Sequence, residues 1–199
     1  MGIGIELSKL KVFDSPKVKL EQYPTDPEVA EKIFDFVLLY SDLENAVVAD
    51  LGCGSGILGI GALLLNAKFV YFLDVDKDAL KVLEENLKRY EFINYKIIND
   101  SVENFSYKVD LVIMNPPFGT KVEHSDRIFY DVALSVAKEV YSITKTSTEE
   151  FLIKYAKQKG FSSKVLLRMK HLIRNQFYFH KSKTKFIDVS LMFFKKLTN

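Results

Sequence analysis

Two clusters of residues in this chain have the types and spacing to do chemistry. The first is Asn115-Pro116-Pro117-Phe118-Gly119. Neither proline carries an N–H, so a strand cannot continue through them. Pro117 keeps Pro116 extended, which leaves the Pro116 carbonyl without a ladder partner and free to point into a cleft. Asn115 adds a side-chain carbonyl beside it. Two adjacent acceptors, followed by an aromatic face and a glycine that lets the backbone come close, make a receptor for a planar group bearing an –NH2. The second cluster is Asp50-Leu51-Gly52-Cys53-Gly54-Ser55-Gly56, with another carboxylate, Asp74, 24 positions after Asp50. Glycines there let the backbone approach a ligand and aim N–H groups and a helix N-terminus at it. An acid at the Asp74 spacing can accept both hydroxyls of a ribose.

Gly54-Ser55-Gly56-Ile57-Leu58-Gly59 also fits G-x-G-x-x-G, the dinucleotide fingerprint of dehydrogenases. Asp50 argues against that use, because an acid just before the glycines repels a pyrophosphate. It suits a cationic nucleoside without phosphates, or serves to order the glycine loop.

The elements that must position these residues are legible in the periodicity. Short apolar runs at Ala46 to Asp50, Phe69 to Asp74, Tyr95 to Ile98 and Val109 to Met114 read as buried strands. Helical patterns at Ile57 to about Leu65 and at 77–90 separate the first three. This alternation predicts a mostly parallel sheet with right-handed crossovers and a ligand crevice at the strand C-termini. Asp50, Asp74, Asp100 and Asn115 all fall at such ends. Upstream, residues 1–20 read as an N-terminal arm, and Thr25 with Glu28 has capping-box spacing before a helix that runs to about Tyr40. Downstream, a polar loop from Thr120 to Arg127, a helix from Ile128 to Ala137 and a strand from Val140 to Ile143 are expected. Ser147 with Glu150 repeats the capping-box spacing for a helix ended by Gly160. Strands at Ser163 to Leu172 and Phe186 to Phe194 complete the chain.

With 199 residues, 48% apolar and 27% charged, the chain is expected to fold as one domain spanning 1–199. No apolar run is long enough to span a membrane and no targeting signal stands at the start, so a cytoplasmic location is expected. Cys53 is the only cysteine, which excludes an internal disulfide, and His124, His171 and His180 are too scattered to suggest a metal cluster. The net charge of +2 is unevenly divided: from Lys145 onward thirteen bases face three acids, a net +10, and the first 144 residues carry −8. A basic end of this kind is an electrostatic footprint for phosphates.

Asp50 to Gly56 is similar to the S-adenosylmethionine motif of class I methyltransferases, and Asn115 to Phe118 resembles the motif of their amino-methylating branch. LEQYPT at 20–25, VVADLGCGSG at 47–56, VIMNPPFGTK at 112–121, YSITKTST at 141–148 and FHK at 179–181 together resemble the methyltransferase-like protein five family and its archaeal relatives. Ser55 departs from a second cysteine in the human-type sequence, and Ile143-Thr144 from Leu-His. The resemblance implies an α/β, class I methyltransferase Rossmann-like fold: a seven-stranded, mostly parallel sheet with the last strand antiparallel and helices on both faces. It implies methyl transfer from S-adenosylmethionine to the 6-amino group of an adenosine in small-subunit ribosomal RNA. Gln22, Thr25, Asp50, Gly52, Ser55, Ile57, Asp74, Asp100 and Ser101 would then bind the cofactor. Asn115, Pro116, Pro117 and Phe118 would be catalytic, and Phe118, Tyr178, His180 and Lys181 would hold the substrate. A small zinc-binding activator protein is implied at the third-strand edge, where Phe92, Ile93, Tyr95 and Ile97 offer apolar surface. The alternatives are glutamine methylation of a release factor, for which Tyr is expected at 118, methylation of DNA adenine, and a non-catalytic cofactor-binding subunit.

Overall fold

The structure, a computed structural model, describes residues 2–12, 17, 20, 22–118, 125–174 and 184–197. Its elements in chain order begin with α1 (Ile3–Leu7), α2 (Pro27–Tyr40), β1 (Val47–Leu51), α3 (Ile57–Leu64), β2 (Phe69–Asp74), α4 (Lys77–Leu87) and β3 (Tyr95–Asn99). They continue with β4 (Val109–Met114), α5 (Ser125–Val136), β5 (Ala137–Lys145), α6 (Glu149–Gln158), β6 (Phe161–Arg174) and β7 (Thr184–Lys196). Seven strands form one sheet in the order β3-β2-β1-β4-β5-β7-β6. The five strands from β3 to β5 are parallel, and β7 runs antiparallel to both its neighbours. This is the class I methyltransferase architecture implied above.

Strand order fixes where a ligand can sit. The chain moves outward from β1 through β2 to β3, then returns to place β4 on the other side of β1, so a crevice opens where the order reverses. Leu51 lies opposite Leu73, and Asp50 opposite both Phe72 and Ile113. Asp50, Asp74 and Asn115 therefore arrive at one edge of the sheet.

Central strands buried on both faces read as unbroken apolar runs rather than alternating ones. One face packs α2, α3 and α4 through Ile33, Phe34, Ile60 and Leu83. α1 joins this layer: Leu7 is 1% exposed and the Gly4 N–H donates to Glu31. The N-terminal arm is thus helical over Ile3–Leu7, and that helix is docked on α2. The other face packs α5 and α6 through Tyr130, Leu134 and Leu152 against Val112, Met114 and Phe194. Among the described residues no helix is long and apolar enough to cross a membrane.

Four local expectations are corrected. Asp26, not Thr25, caps α2: its side chain accepts the Glu28 N–H, and Pro27 takes the first turn, where its missing N–H costs nothing. The Thr25 hydroxyl is used elsewhere, as shown below. α6 begins after a 3-10 turn, Thr146–Thr148, with Thr148 at the cap and no capping side chain, so the Ser147/Glu150 box does not form. α5 starts at Ser125, which makes residues 125–127 helical rather than loop, and Ala137 opens β5 instead of closing the helix. β6 and β7 are both longer than expected.

α3 lies close to the sheet at Gly59, where a Cβ would sit 2.2 Å from the ring of fully buried Phe72. Ala favours a helix by about 1 kcal/mol over Gly, but the overpacking outweighs it. Gly59→Ala is expected to lower unfolding free energy by about 1–3 kcal/mol in urea titrations.

Candidate active site

The glycine loop after β1 is folded over the end of β2 by two bonds, from the Gly52 and Cys53 N–H groups to the Leu73 carbonyl (2.8 and 3.0 Å). The next amide, Gly54, donates to Asp74 Oδ2 at 2.8 Å, and the Asp76 N–H donates to Asp74 Oδ1 at 2.8 Å. Each carboxylate oxygen keeps a further lone pair for a ligand. Gly56 then turns the chain into α3 with φ of 90°, and a Cβ there would lie 2.2 Å from Leu83. Only glycine fits this turn.

Asp50 is 1% exposed and accepts the Gly59 N–H at 2.7 Å, in the first turn of α3, where backbone donors lack intrahelical partners. Of its two sequence-based roles, ordering the loop is the one the geometry displays. Burial raises its pKa to about 7, with a smaller push from Asp74. The native state therefore keeps this proton over a range in which the unfolded chain, with an ordinary value near 3.8, has lost it. Stability contributed by Asp50 is fully present at acid pH, falls as pH rises toward about 7 and levels off above it. Asp50→Asn is expected to remove that decline, a relative gain of up to about 1.4 kcal/mol per pH unit. Denaturant titrations of both proteins across this range check it; a pH-independent difference contradicts it. Burial also pushes the neighbouring Cys53 thiol well above its ordinary value, so it is no nucleophile.

These groups surround a cavity of about 250 Å³. All nine residues expected to bind the cofactor line it: Gln22 and Thr25 from the segment before α2; Asp50 from β1; Gly52 and Ser55 from the glycine loop; Ile57 from the start of α3; and Asp74, Asp100 and Ser101 from the ends of β2 and β3. Asp100 accepts from Asn104 Nδ2 (2.8 Å) and from the Ser101 N–H (2.7 Å), which hold its carboxyl below the ordinary range and hence ionised. Gln22 donates to Asp76 Oδ2 at 2.8 Å, and Lys17 Nζ donates to Asp76 and Asp78. The segment before α2 is thereby pinned to the start of α4.

Asn115 stands at the other end of the cavity with its amide clamped. Nδ2 donates to Thr25 Oγ1 at 3.1 Å and lies 3.5 Å from the Tyr23 carbonyl. That carbonyl can only accept, so the NH2 group must face it. Asn115 Oδ1 is consequently left buried with no partner among the described residues. Buried acceptors are normally paired, and an ordered water or a ligand N–H is what would pair this one. Pro117 lines the same cavity, while Pro116 and Phe118 line a smaller one alongside it. Phe118 is buried and stacks on Tyr23 (centroids 6.3 Å apart, planes 17° apart). Tyr178, His180 and Lys181, expected to touch the substrate, lie outside the described residues.

Four contributors escaped the sequence reading. Phe129 reaches in from α5, close enough that a Cβ on Gly52 would meet its ring at 3.1 Å. Val75 and Val102 supply apolar walls. Asn86, fully buried on α4, donates to the Ser55 carbonyl (3.0 Å) and exchanges two bonds with the Lys11 backbone, tying the glycine loop to the N-terminal arm. A polar residue interrupting the buried side of α4 was the one signal available.

The family Methyltransferase small domain matches residues 33–144, more than half of the chain. The rRNA N(6)-adenosine-methyltransferase METTL5 of Danio rerio is 36% identical over 195 residues, covering 94% of each chain. The Drosophila melanogaster rRNA N(6)-adenosine-methyltransferase Mettl5 is 36% identical over 191 residues, covering 92% of this chain and 90% of its own. A crystal structure of a Pyrococcus horikoshii protein, provisionally assigned as an RNA methyltransferase, superposes with a TM-score of 0.91 at 42% identity, over 98% of this chain and 96% of that one. Fold, cavity and full-length similarity agree: this chain belongs to the Methyltransferase small domain family and, within it, to the METTL5 group of rRNA N(6)-adenosine-methyltransferases.

Proposed function

We propose that the protein transfers a methyl group from S-adenosylmethionine to the 6-amino group of an adenosine in small-subunit ribosomal RNA, giving N(6)-methyladenosine. The observation that carries this reading is Asn115 Oδ1, a buried acceptor without a partner among the described residues, with its amide turned so that this oxygen is left for an N–H donor. The cavity suits the cofactor: Asp74 retains acceptor capacity for ribose hydroxyls, ionised Asp100 with Ser101 meets the nucleobase, and the glycine loop allows close approach. When bound, the cofactor supplies an electrophilic methyl on a sulfonium.

An adenine amino nitrogen is a poor nucleophile because its lone pair is delocalised into the ring. Asn115 Oδ1 and the Pro116 carbonyl accept its two N–H bonds, draw the hydrogens out of the ring plane and leave the lone pair to face the methyl. Methyl transfer makes the nitrogen positive while the C–S electron pair stays with sulfur as a neutral thioether; the same two carbonyl dipoles stabilise the cation until it gives one proton to solvent, so positioning and electrostatics suffice without a strong base. Phe118, stacked on Tyr23, forms the aromatic side of the substrate end. The target base has to leave its stack to reach this pocket, so a single-stranded or flipped-out adenosine is the substrate.

The reading also includes a cytoplasmic location and a small zinc-binding activator at the outer edge of β3. In support of that partner, β3 is an edge strand, Ile93 beside it is 94% exposed, and Phe92 stacks on Tyr90 nearby. Unpaired edges with exposed apolar residues are sites where a further strand adds. Labelled methyl transfer to separated small- and large-subunit RNA tests the substrate. Label confined to the small-subunit RNA is expected; equal labelling of both contradicts it.

A further inference from the structure

β7 pairs with β5 only from Val189 onward, opposite Lys145, whereas β6 follows β7 back to Thr184. The two last strands therefore run on together as a ribbon past the end of the sheet at which Asn115 emerges. At the root of this ribbon lies a cleft of about 700 Å³, lined among others by Lys145, Arg168, Lys170, Phe186 and Asp188. Lys145 also lines the small cavity beside Pro116, Pro117 and Phe118, so this residue borders both the cleft and the substrate end of the active site.

Its chemistry is that of a bound strand of nucleic acid. Lys145 and Lys170 have no carboxylate within ion-pair distance among the described residues. Arg168 is held by Glu149 through Nε (2.9 Å) and Nη2 (2.7 Å), and Glu149 in turn accepts from Ser190 Oγ. The guanidinium is thus rigid, while its side chain stays 64% exposed with donors to spare. Phe186 is 61% exposed, and its ladder partner Leu172 lies two positions from Lys170, itself opposite Asp188. Phe186, Lys170 and Arg168 therefore share one face of the ribbon, and Lys145, opposite Val189, borders the cleft from the end of β5; aromatic and basic groups together are the combination that grips single strands by stacking and by phosphate contact. Asp188 adds an acceptor for a base amino group or a ribose hydroxyl.

The geometry points to this cleft as the seat of an RNA nucleotide flanking the target adenosine: Lys145 and Lys170 each neutralise one of the two phosphates on either side of it, Arg168 adds a fixed donor between them, and Phe186 stacks on its base. This inference rests on the RNA reading above and goes beyond it by assigning residues to the neighbouring nucleotide.

Fluorescence anisotropy with a short single-stranded oligouridylate carrying one central adenosine tests it without turnover. The double variant Lys145→Gln/Lys170→Gln is expected to lower the slope of log affinity against log salt by about 1.4, about 0.7 for each single-strand phosphate that is no longer neutralised. Phe186→Ala is expected to weaken binding by about tenfold, and that loss should vanish when the flanking nucleotide is abasic. Cofactor affinity should stay native in both, which also reports that the variants are folded. An unchanged slope in the double variant, or a Phe186→Ala loss indifferent to the abasic substitution, overturns the assignment. If the variants bind RNA as the native protein does and methyl transfer proceeds, the cleft is wrong and the reaction stands. If RNA binding follows the prediction but adenosine is never methylated, the reaction is wrong and the cleft stands.

Discussion

Asn115→Ala is expected to slow single-turnover methyl transfer by about a hundredfold to a thousandfold, the usual cost of removing one preorganised dipole from a reacting centre. Cofactor affinity is expected to remain close to native, because the Asn115 amide points to Thr25 and Tyr23 and not to the glycine loop. The unpartnered Oδ1 explains why the effect falls on the chemical step. A donor that pairs with a buried acceptor recovers about 1–3 kcal/mol of desolvation cost. Asn115→Asp should fare no better, since a carboxylate oxygen would then face the Tyr23 carbonyl where an N–H now lies. Thr25→Val is the informative partner: it removes one of the two groups that orient the amide and should lower the rate to a lesser degree. Rapid-quench assays at saturating cofactor, with calorimetry for affinity, measure both quantities. Equal losses of affinity and rate in Asn115→Ala contradict the role assigned.

Asp74→Ala should produce the opposite split. Two backbone donors, Gly54 and Asp76, converge on its carboxylate, so truncation leaves them unsatisfied and releases the glycine loop as well as removing the acceptors for ribose hydroxyls. A hydrogen bond to a charged group contributes about 1.5–3 kcal/mol, and losing two of them weakens cofactor binding by about a hundredfold or more. The rate at saturating cofactor should change far less, because Asn115 and Pro116 are untouched. Burial raises the Asp74 pKa, so native affinity should also fall on acidification as this carboxylate takes up a proton. Calorimetry across pH shows both effects; near-native affinity in Asp74→Ala removes Asp74 from the site.

The parts of this site that local sequence can reveal are those carried by strand ends. β1, β2 and β4 are apolar runs that each stop at or next to a polar residue, and that pattern alone places Asp50, Asp74 and Asn115 at one edge. What stays hidden is long-range. Thr25 has the look of a helix cap, yet its hydroxyl belongs to Asn115, 90 residues away, and Asp26 caps instead. Glu149 sits in a run that resembles a capping box but turns inward to Arg168 and Ser190, partners on β6 and β7. Phe118 is recognisable as an aromatic beside the prolines, whereas its stacking on Tyr23 depends on how the segment before α2 crosses the cleft. Phe129 gives no signal, because which helical side chain reaches a distant loop is decided by packing and not by period.

The central claim is the identity of the acceptor atom, and nucleoside analysis tests it most directly. Total RNA would be incubated with the protein and methyl-labelled S-adenosylmethionine, digested to nucleosides and separated. The account predicts label in N(6)-methyladenosine, and its loss when Asn115→Ala replaces the native protein. Label in another nucleoside, or N(6)-methyladenosine formed equally well without the Asn115 carbonyl, would contradict it.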